Sequence, residues 1–432
     1  MSNKKNLYKL ISTNKAKIGI IGLGYVGLPL SILFSKKGFK VIGFDIDNSK
    51  IKKIKKKISY IDRISHKDIK KILKKGYCTS NFSDVSKCDF IIICVPTPLK
   101  KNKPNLEYLK LTIKNIKNYL RKNQVLILES TSYPGTTREI IANTISKKFN
   151  IGKNFYLGFS SERINPGINE NSINEIPKVV SGYSNECLKI ISLFYKSSFK
   201  KIVPAKNLEI AEFSKLLENI YRSVNIGFVN EMKIVADKMK LDIFEILKIA
   251  KTKPFGFNSF EPGPGVGGHC IPIDPNYLHW KSKKFGIEPK FIKLSEKVNL
   301  DILKFIISKL EGIRKSKNLD KKKFNVLVLG LSYKKNVDDL RESASLRLIN
   351  YFIKNKINYE FSDPYIKRKI DTRNVKIDKK SISLTSKNLK KFDLTILMTD
   401  HDKFNYKLIY NKSNLIIDCR GRYQIDEKVI RG

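Results

Sequence analysis

The stretch KAKIGIIGLGYVGLPLSILFSKKGFKVIGFDID, residues 15–47, constrains the fold more than any other part of the chain. KIGIIGLG is an apolar, β-rich run that ends in glycines. YVGLPLSILFSKKG has helical spacing and stops at Gly38, and KVIGFDID is a second strand ending in acid. Together they form a βαβ unit, the building block of parallel sheets. Gly22, Gly24 and Gly27 space G-x-G-x-x-G over the strand-to-helix turn, and Asp45 follows 23 residues after Gly22. The first glycine permits the tight turn, the second lets backbone approach a pyrophosphate, and the third lets the helix pack close on the strand. The helix N-terminus offers phosphate its N–H groups. Asp45 accepts hydrogen bonds from a ribose diol and repels a 2′-phosphate, so the segment predicts NAD rather than NADP.

The alternation continues. CDFIIICVPTP (88–98), QVLILESTSYPGTT (124–137) and NFYLGFSSERINPG (154–167) each read as a strand followed by a loop. Ligands of open parallel sheets sit beyond the carboxyl ends of the strands, which places Thr97, Thr131 and Glu162 at one crevice. The two threonines fit turn and cap chemistry equally well. From Leu208 to about Lys240 the pattern turns helical, with apolar residues on more than one side, as in a helix buried between domains or subunits. Lys215 and Asn219 lie at i and i+4 on one face of it. On spacing alone, a solvated lysine beside a surface asparagine accounts for them. KNLDKKK is a charged linker, and from Phe324 a strand–turn–helix pattern restarts without G-x-G-x-x-G. Lys334 and Arg341 follow its first strand, where both can meet phosphates. The expected fold class is therefore α/β, with two Rossmann-like doubly wound domains joined by a long central helix. The expected domains are 1–205, a central helical region 206–316, and 317–432.

Composition narrows the class further. Hydrophobic residues make up 41% of the 432, enough for a full core, but no run of apolar residues is long enough to span a bilayer. The lysine-rich N-terminus lacks the apolar stretch of a signal peptide, so a cytoplasmic location is expected. The formal net charge is +45, with only 13 arginines among 85 basic residues. Lysine is spread over the whole chain and not gathered into one patch with interleaved aromatics. We therefore expect a compositional bias that favours anionic ligands, and no specific nucleic-acid site. Six scattered cysteines and four scattered histidines show no zinc spacing, so no metal is expected.

One cysteine has an unusual setting. PGPGVGGHCIPIDP, residues 262–275, holds Cys270 in a stiff loop, four residues before Asp274. Glycines let backbone crowd a ligand and prolines limit the loop's freedom. Beside NAD, a thiol serves the oxidation of an aldehyde. It adds to the carbonyl to give a thiohemiacetal, which loses hydride to leave a thioester, and water then releases an acid. His269 and Asp274 are neighbours able to tune the thiol or place a water. A buried structural cysteine in a glycine-rich turn would read the same way from the loop alone.

These motifs resemble the UDP-glucose/GDP-mannose dehydrogenase family from IGIIGLGYVGLPL to IIDCRG, through CVPTP, ESTSYPGTT, SERINPG, the Lys215–Asn219 helix, PGPGVGGHCIPIDP and YKKNVDDLRESAS. The resemblance implies oxidation of a nucleotide sugar's primary alcohol to a carboxylate with two NAD, the aldehyde staying bound. It implies that Cys270 is the nucleophile and that Lys215 and Asn219 hold the reacting oxygen. Asp274 would work with an ordered water, Glu162 would take part in thioester hydrolysis, and Thr131 would help order water. Cofactor positions by the same resemblance are Gly22, Gly24, Tyr25, Val26, Gly27, Asp45, Lys50, Thr97, Thr131 and Arg341. Substrate positions are Glu162, Lys215, Asn219, Gly267 and Lys334, the last as a uridine-nucleotide contact. The central helix implies a homodimer. Some UDP-glucose enzymes carry a second glutamate where this chain has Pro166. ERINPG, TKPFGFNSFEPGPGVGGHCIPIDP and FIKLSEKVN look most like the branch that oxidises UDP-N-acetylglucosamine for surface polysaccharides. UDP-glucose, UDP-N-acetylgalactosamine and UDP-N-acetylmannosamine stay open as alternatives.

Overall fold

The structure, a computed structural model, describes residues 2–61, 64–163, 170–367, 369–372 and 375–432. The chain divides into two compact units, Met1–Glu218 with Asn276–Ile287, and Asn219–Pro275 with Glu288–Gly432.

In the first unit the opening βαβ is present. Strand β1 (Lys17–Ile21) is buried along its apolar residues, helix α1 (Gly27–Lys36) follows the glycine turn, and β2 (Lys40–Phe44) pairs with β1 in parallel. The unit continues through β3 (Tyr77–Thr79), β4 (Phe90–Ile93), β5 (Val125–Leu128), β6 (Tyr156–Ser160), β7 (Lys178–Gly182), α2 (Asn185–Lys196) and β8 (Ile202–Pro204). The eight strands lie in the order β8-β7-β6-β5-β4-β1-β2-β3. Neighbours are parallel except β6 with β7, which run antiparallel. The order reverses at β1, so the crevice between β1 and β4 is the switch point where a doubly wound sheet takes its ligand.

Helix α3 (Leu208–Lys238) is 31 residues long. Its residues from 219 onwards belong to the second unit and pack on α5 (Lys290–Ser316). Gly227 lets the two helices approach: a Cβ there would stand 3.3 Å from the Cα of Ser295. Asn230 Nδ2 donates to Asn299 Oδ1 at 3.0 Å, and Asn299 Nδ2 donates to the Ser223 carbonyl at 3.1 Å. The helical region after the cysteine loop is divided. Helix α4 (Asp274–Lys283) ends before Gly286, which has φ +72°, and α5 starts after Pro289. The loop itself also ends earlier than its sequence suggests, because Asp274 and Pro275 already lie in α4. An acid and a proline both suit a first helical turn, one complementing the helix dipole and the other lacking an N–H that would go unpaired.

The second sheet contains β9 (Asn325–Leu329), β10 (Asn358–Ser362), β11 (Leu394–Leu397), β12 (Ile416–Asp418) and β13 (Val429–Arg431), with α6 (Ala344–Asn355) between β9 and β10. Its order is β10-β9-β11-β12-β13, all parallel. Strand β13 extends the sheet beyond IIDC, the last strand visible in the sequence. Arg431 ties it down through Asp418 of β12 and Asp242.

Candidate active site

The glycine turn meets the demands of a dinucleotide. Gly22 has φ +93°, a conformation that costs other residues strain. A Cβ on Gly27 would stand 1.9 Å from the Gly22 carbonyl oxygen, so α1 can start this close to β1 only with glycine. A Cβ on Gly24 would meet nothing within 4 Å, which leaves open space where a pyrophosphate would lie against backbone. Asp45 is buried at the end of β2. One carboxylate oxygen accepts from the Leu23 N–H at 2.9 Å and from Lys50 Nζ at 3.2 Å, and the other from the Asp47 N–H at 2.9 Å. Three of about four acceptor sites are thus used, and capacity for a ribose hydroxyl remains. The pair with Lys50 places that lysine at the cofactor end. Tyr25 and Val26 sit in the same turn. Thr97 is buried, and its carbonyl accepts from the Tyr277 hydroxyl at 3.0 Å. Thr131 is half-buried after β5, and Glu162 follows β6 by two residues. Pro166 lies outside the described residues.

Lys215 is buried on α3, where the sequence alone suggested solvation. Three residues before it, Glu212 carries a role the sequence did not reveal. Its carboxylate accepts from the N–H of Gly135 at 2.5 Å, and from the N–H and hydroxyl of Thr137 at 2.8 and 2.7 Å. Burial raises its pKa to about 7, against these hydrogen bonds, which favour the ionised form.

In the second unit, Asn219 and Asp274 meet. Asn219 Nδ2 donates to Asp274 Oδ2 at 2.5 Å, and both side chains are buried. The Asp274 N–H donates to the Cys270 carbonyl at 2.8 Å, so one turn fixes the carboxylate relative to the half-buried thiol. Gly267 and Gly268 press the loop onto the segment after β9. The Gly268 N–H donates to the Arg341 carbonyl at 2.8 Å, and a Cβ on Gly267 would stand 2.6 Å from Tyr333 Cβ. Lys334 is next to Tyr333, and its carbonyl accepts from the Ser332 hydroxyl. The Arg341 side chain grips the buried Asp339 carboxylate with three hydrogen bonds of 2.6–3.1 Å. Unlike the other residues expected to contact the cofactor, Arg341 belongs to the second unit. Burial, with Arg341 adding to it, lowers the pKa of His269 to about 4. That ring is neutral near pH 7, so it supplies no positive charge to activate Cys270. Arg420, just beyond the carboxyl end of β12, packs beside Gly265, Gly267, Ser332, Tyr333 and Thr399 around a gap too narrow for water, and its Nε donates to the Met398 carbonyl at 2.8 Å.

Residues 16–199 match the NAD-binding domain of the UDP-glucose/GDP-mannose dehydrogenase family, 209–301 its central domain, and 327–425 its UDP-binding domain. Protein CapL of Staphylococcus aureus is 34% identical over 419 residues, which are 95% of this chain and 97% of CapL. The chain belongs to the UDP-glucose/GDP-mannose dehydrogenase family. Like the family, it is an NAD-dependent oxidoreductase acting on nucleotide sugars. A UDP-N-acetyl-D-glucosamine 6-dehydrogenase of Pseudomonas aeruginosa is 33% identical over 81% of this dehydrogenase and 83% of its own length. Among solved structures, the UDP-D-ManNAc dehydrogenase of Pyrococcus horikoshii superposes with a TM-score of 0.85 at 28% identity, covering 95% of this dehydrogenase and 96% of that chain. Among the described residues no helix is long and apolar enough to cross a membrane, and no cluster of side chains could hold a metal ion.

Proposed function

We propose that this enzyme oxidises the C-6 primary alcohol of UDP-N-acetylglucosamine to the uronic acid in the cytoplasm, for surface polysaccharide synthesis. The balance is one alcohol, two NAD⁺ and one water giving one carboxylate, two NADH and three protons. The Gly22–Gly27 turn and Asp45 would hold NAD, which would supply the hydride acceptor for each of the two oxidations. Lys215 and Asn219 hold the reacting oxygen. Cys270 adds to the aldehyde carbon to give a thiohemiacetal, whose loss of hydride and a proton in the second oxidation leaves a thioester on the thiol. The thioester is hydrolysed with Glu162 taking a proton from water and Thr131 ordering that water. Asp274 moves protons through an ordered water. Gly267 and Lys334 contact the UDP-sugar and Arg341 the cofactor. The observation that carries this reading is the Asn219–Asp274 hydrogen bond at the foot of the loop holding Cys270. Two groups that would serve a carbonyl oxygen and a proton are joined there, one turn from a thiol.

A panel of UDP-sugars with purified protein and NAD tests the proposal by counting NADH formed per sugar consumed. Two NADH per UDP-N-acetylglucosamine without released aldehyde is the expected result, and Cys270→Ser should abolish acid formation while still binding NAD. Two NADH only from UDP-N-acetylmannosamine, the substrate in the name of the Pyrococcus protein, would keep the chemistry and change the substrate. One NADH with free aldehyde would overturn the thioester.

We also propose a homodimer through α3. Ile210, Phe213, Leu217, Tyr221, Phe228 and Val235 are all exposed. Their spacing of three, four or seven residues puts them on a single stripe of the helix.

A further inference from the structure

Behind Glu162 lies a buried charge cluster that the chemistry above does not use. Lys178 opens β7, and its side chain is 5% exposed. Its ammonium donates to Glu129 Oε2 at 2.9 Å and to the Ser161 carbonyl at 3.3 Å, and stands 4.0 Å from Glu162 Oε2. Glu129, just past β5, is fully buried, and its other oxygen accepts from the hydroxyl of Tyr195 on α2, itself fully buried. The ammonium also lies over the rings of Tyr195 and Phe199. On the far side of Glu162, Arg163 donates to the Pro177 carbonyl at 2.9 Å and pairs with Glu218. Residues 161–163 are thus clamped from both sides by 177 and 178.

The distances divide the lysine's work. A buried ammonium requires a counter-charge and hydrogen-bond acceptors, and Glu129 with the Ser161 carbonyl provides them. At 4.0 Å, beyond hydrogen-bonding range, Lys178 attracts the Glu162 carboxylate without occupying one of its lone pairs. A general base benefits from a neighbour that draws its carboxylate into place in this way. Burial pushes the pKa of Glu129 up, Lys178 opposes the shift and Glu162 adds to it.

We propose that Lys178, anchored by Glu129 and Tyr195, is a positioning residue that sets the Glu162 carboxylate for thioester hydrolysis. The inference rests on the hydrolytic role proposed above for Glu162. It separates the two halves of the reaction, because without the ammonium hydride transfer should continue while release of the acid stalls.

The test is rapid acid quench of the full-length enzyme turning over UDP-N-acetylglucosamine and NAD, with mass detection of the acyl group on Cys270. Lys178→Met should form its first two NADH per site at the wild-type rate, accumulate acyl-enzyme, and turn over more slowly by about tenfold or more, part of the roughly 10²–10⁴-fold that a positioned base supplies. Lys178→Arg should recover most of the steady-state rate. Lys178→Met leaves Glu129 buried without its partner and can fail to fold, so Glu129→Gln/Lys178→Met is made in parallel, removing both buried charges. The double variant should bind NAD normally and still accumulate acyl-enzyme. Wild-type turnover in the double variant would overturn the inference and make Lys178 a purely structural partner of Glu129. Glu162→Gln separates the two proposals. If it accumulates acyl-enzyme and the Lys178 variants do not, only the positioning role falls. If Glu162→Gln does not accumulate it, the hydrolytic role of Glu162 falls too.

Discussion

Glu212 shows how one buried carboxylate can shape the response to pH. Its folded pKa of about 7 lies above its ordinary value of 4.5, because burial disfavours the charge more than three hydrogen bonds favour it. Between those values the folded chain keeps a proton that the unfolded chain has released. The contribution is therefore full below pH 4.5 and declines as pH rises towards 7, by on the order of 3 kcal/mol. Glu212→Gln removes this titration. Urea unfolding at pH 5 and pH 8 should show a smaller loss of stability for the variant than for the wild type across that interval. Equal losses would mean that Glu212 is ionised throughout. Glu212 also ties the Gly135–Thr137 turn, just after Thr131, to α3 one turn before Lys215.

At the scale of elements, the glycine turn between β1 and α1 offers a paired prediction. Gly27→Ala drives a Cβ to 1.9 Å from the Gly22 carbonyl oxygen, a backbone atom that cannot swing aside. It should cost about 1–3 kcal/mol of stability, the usual range for overpacking, along with NAD affinity. Gly24→Ala puts its methyl where no protein atom lies within 4 Å, so the melting temperature should hold while NAD affinity falls. Thermal melts with and without NAD distinguish the two. Equal destabilisation of both apo-proteins would mean that the turn is held by something other than this contact. This turn was legible in the sequence because its strand, glycines, helix and acid fall within one short segment. The cysteine loop was legible only up to residue 273, because Asp274 and Pro275, which read as its end, open α4 instead. Other features depend on partners distant in the chain. Lys178 and Glu129 are 49 residues apart, Tyr195 and Glu129 66, and Thr137 and Glu212 75. No local periodicity encodes such a pairing, so a strand start, a loop acid and a helix acid each looked ordinary. Strand β13 escaped notice because three residues in a basic tail carry too little pattern to distinguish a strand from a loop.

At the scale of the whole molecule, net charge and the exposed face of α3 act against each other. Two copies carrying +45 each repel. The repulsion reaches furthest in dilute buffer, where the screening length is about 30 Å at 0.01 M salt against about 8 Å at 0.15 M. The face that would join them is apolar, with Phe228 54% and Leu217 55% exposed, and its attraction does not depend on opposite charges. Association of copies should therefore strengthen as salt is raised from 10 to 500 mM, and sedimentation velocity should show the dimer fraction growing. Binding to DNA would respond in the opposite sense, since phosphate contacts weaken as salt rises. Phe228→Glu places a charge in the middle of the stripe and should hold the protein monomeric at every salt concentration, with its secondary structure intact. A wild-type dimer that dissociates on adding salt would show that ion pairs join the copies, and the apolar stripe of α3 would then need another occupant.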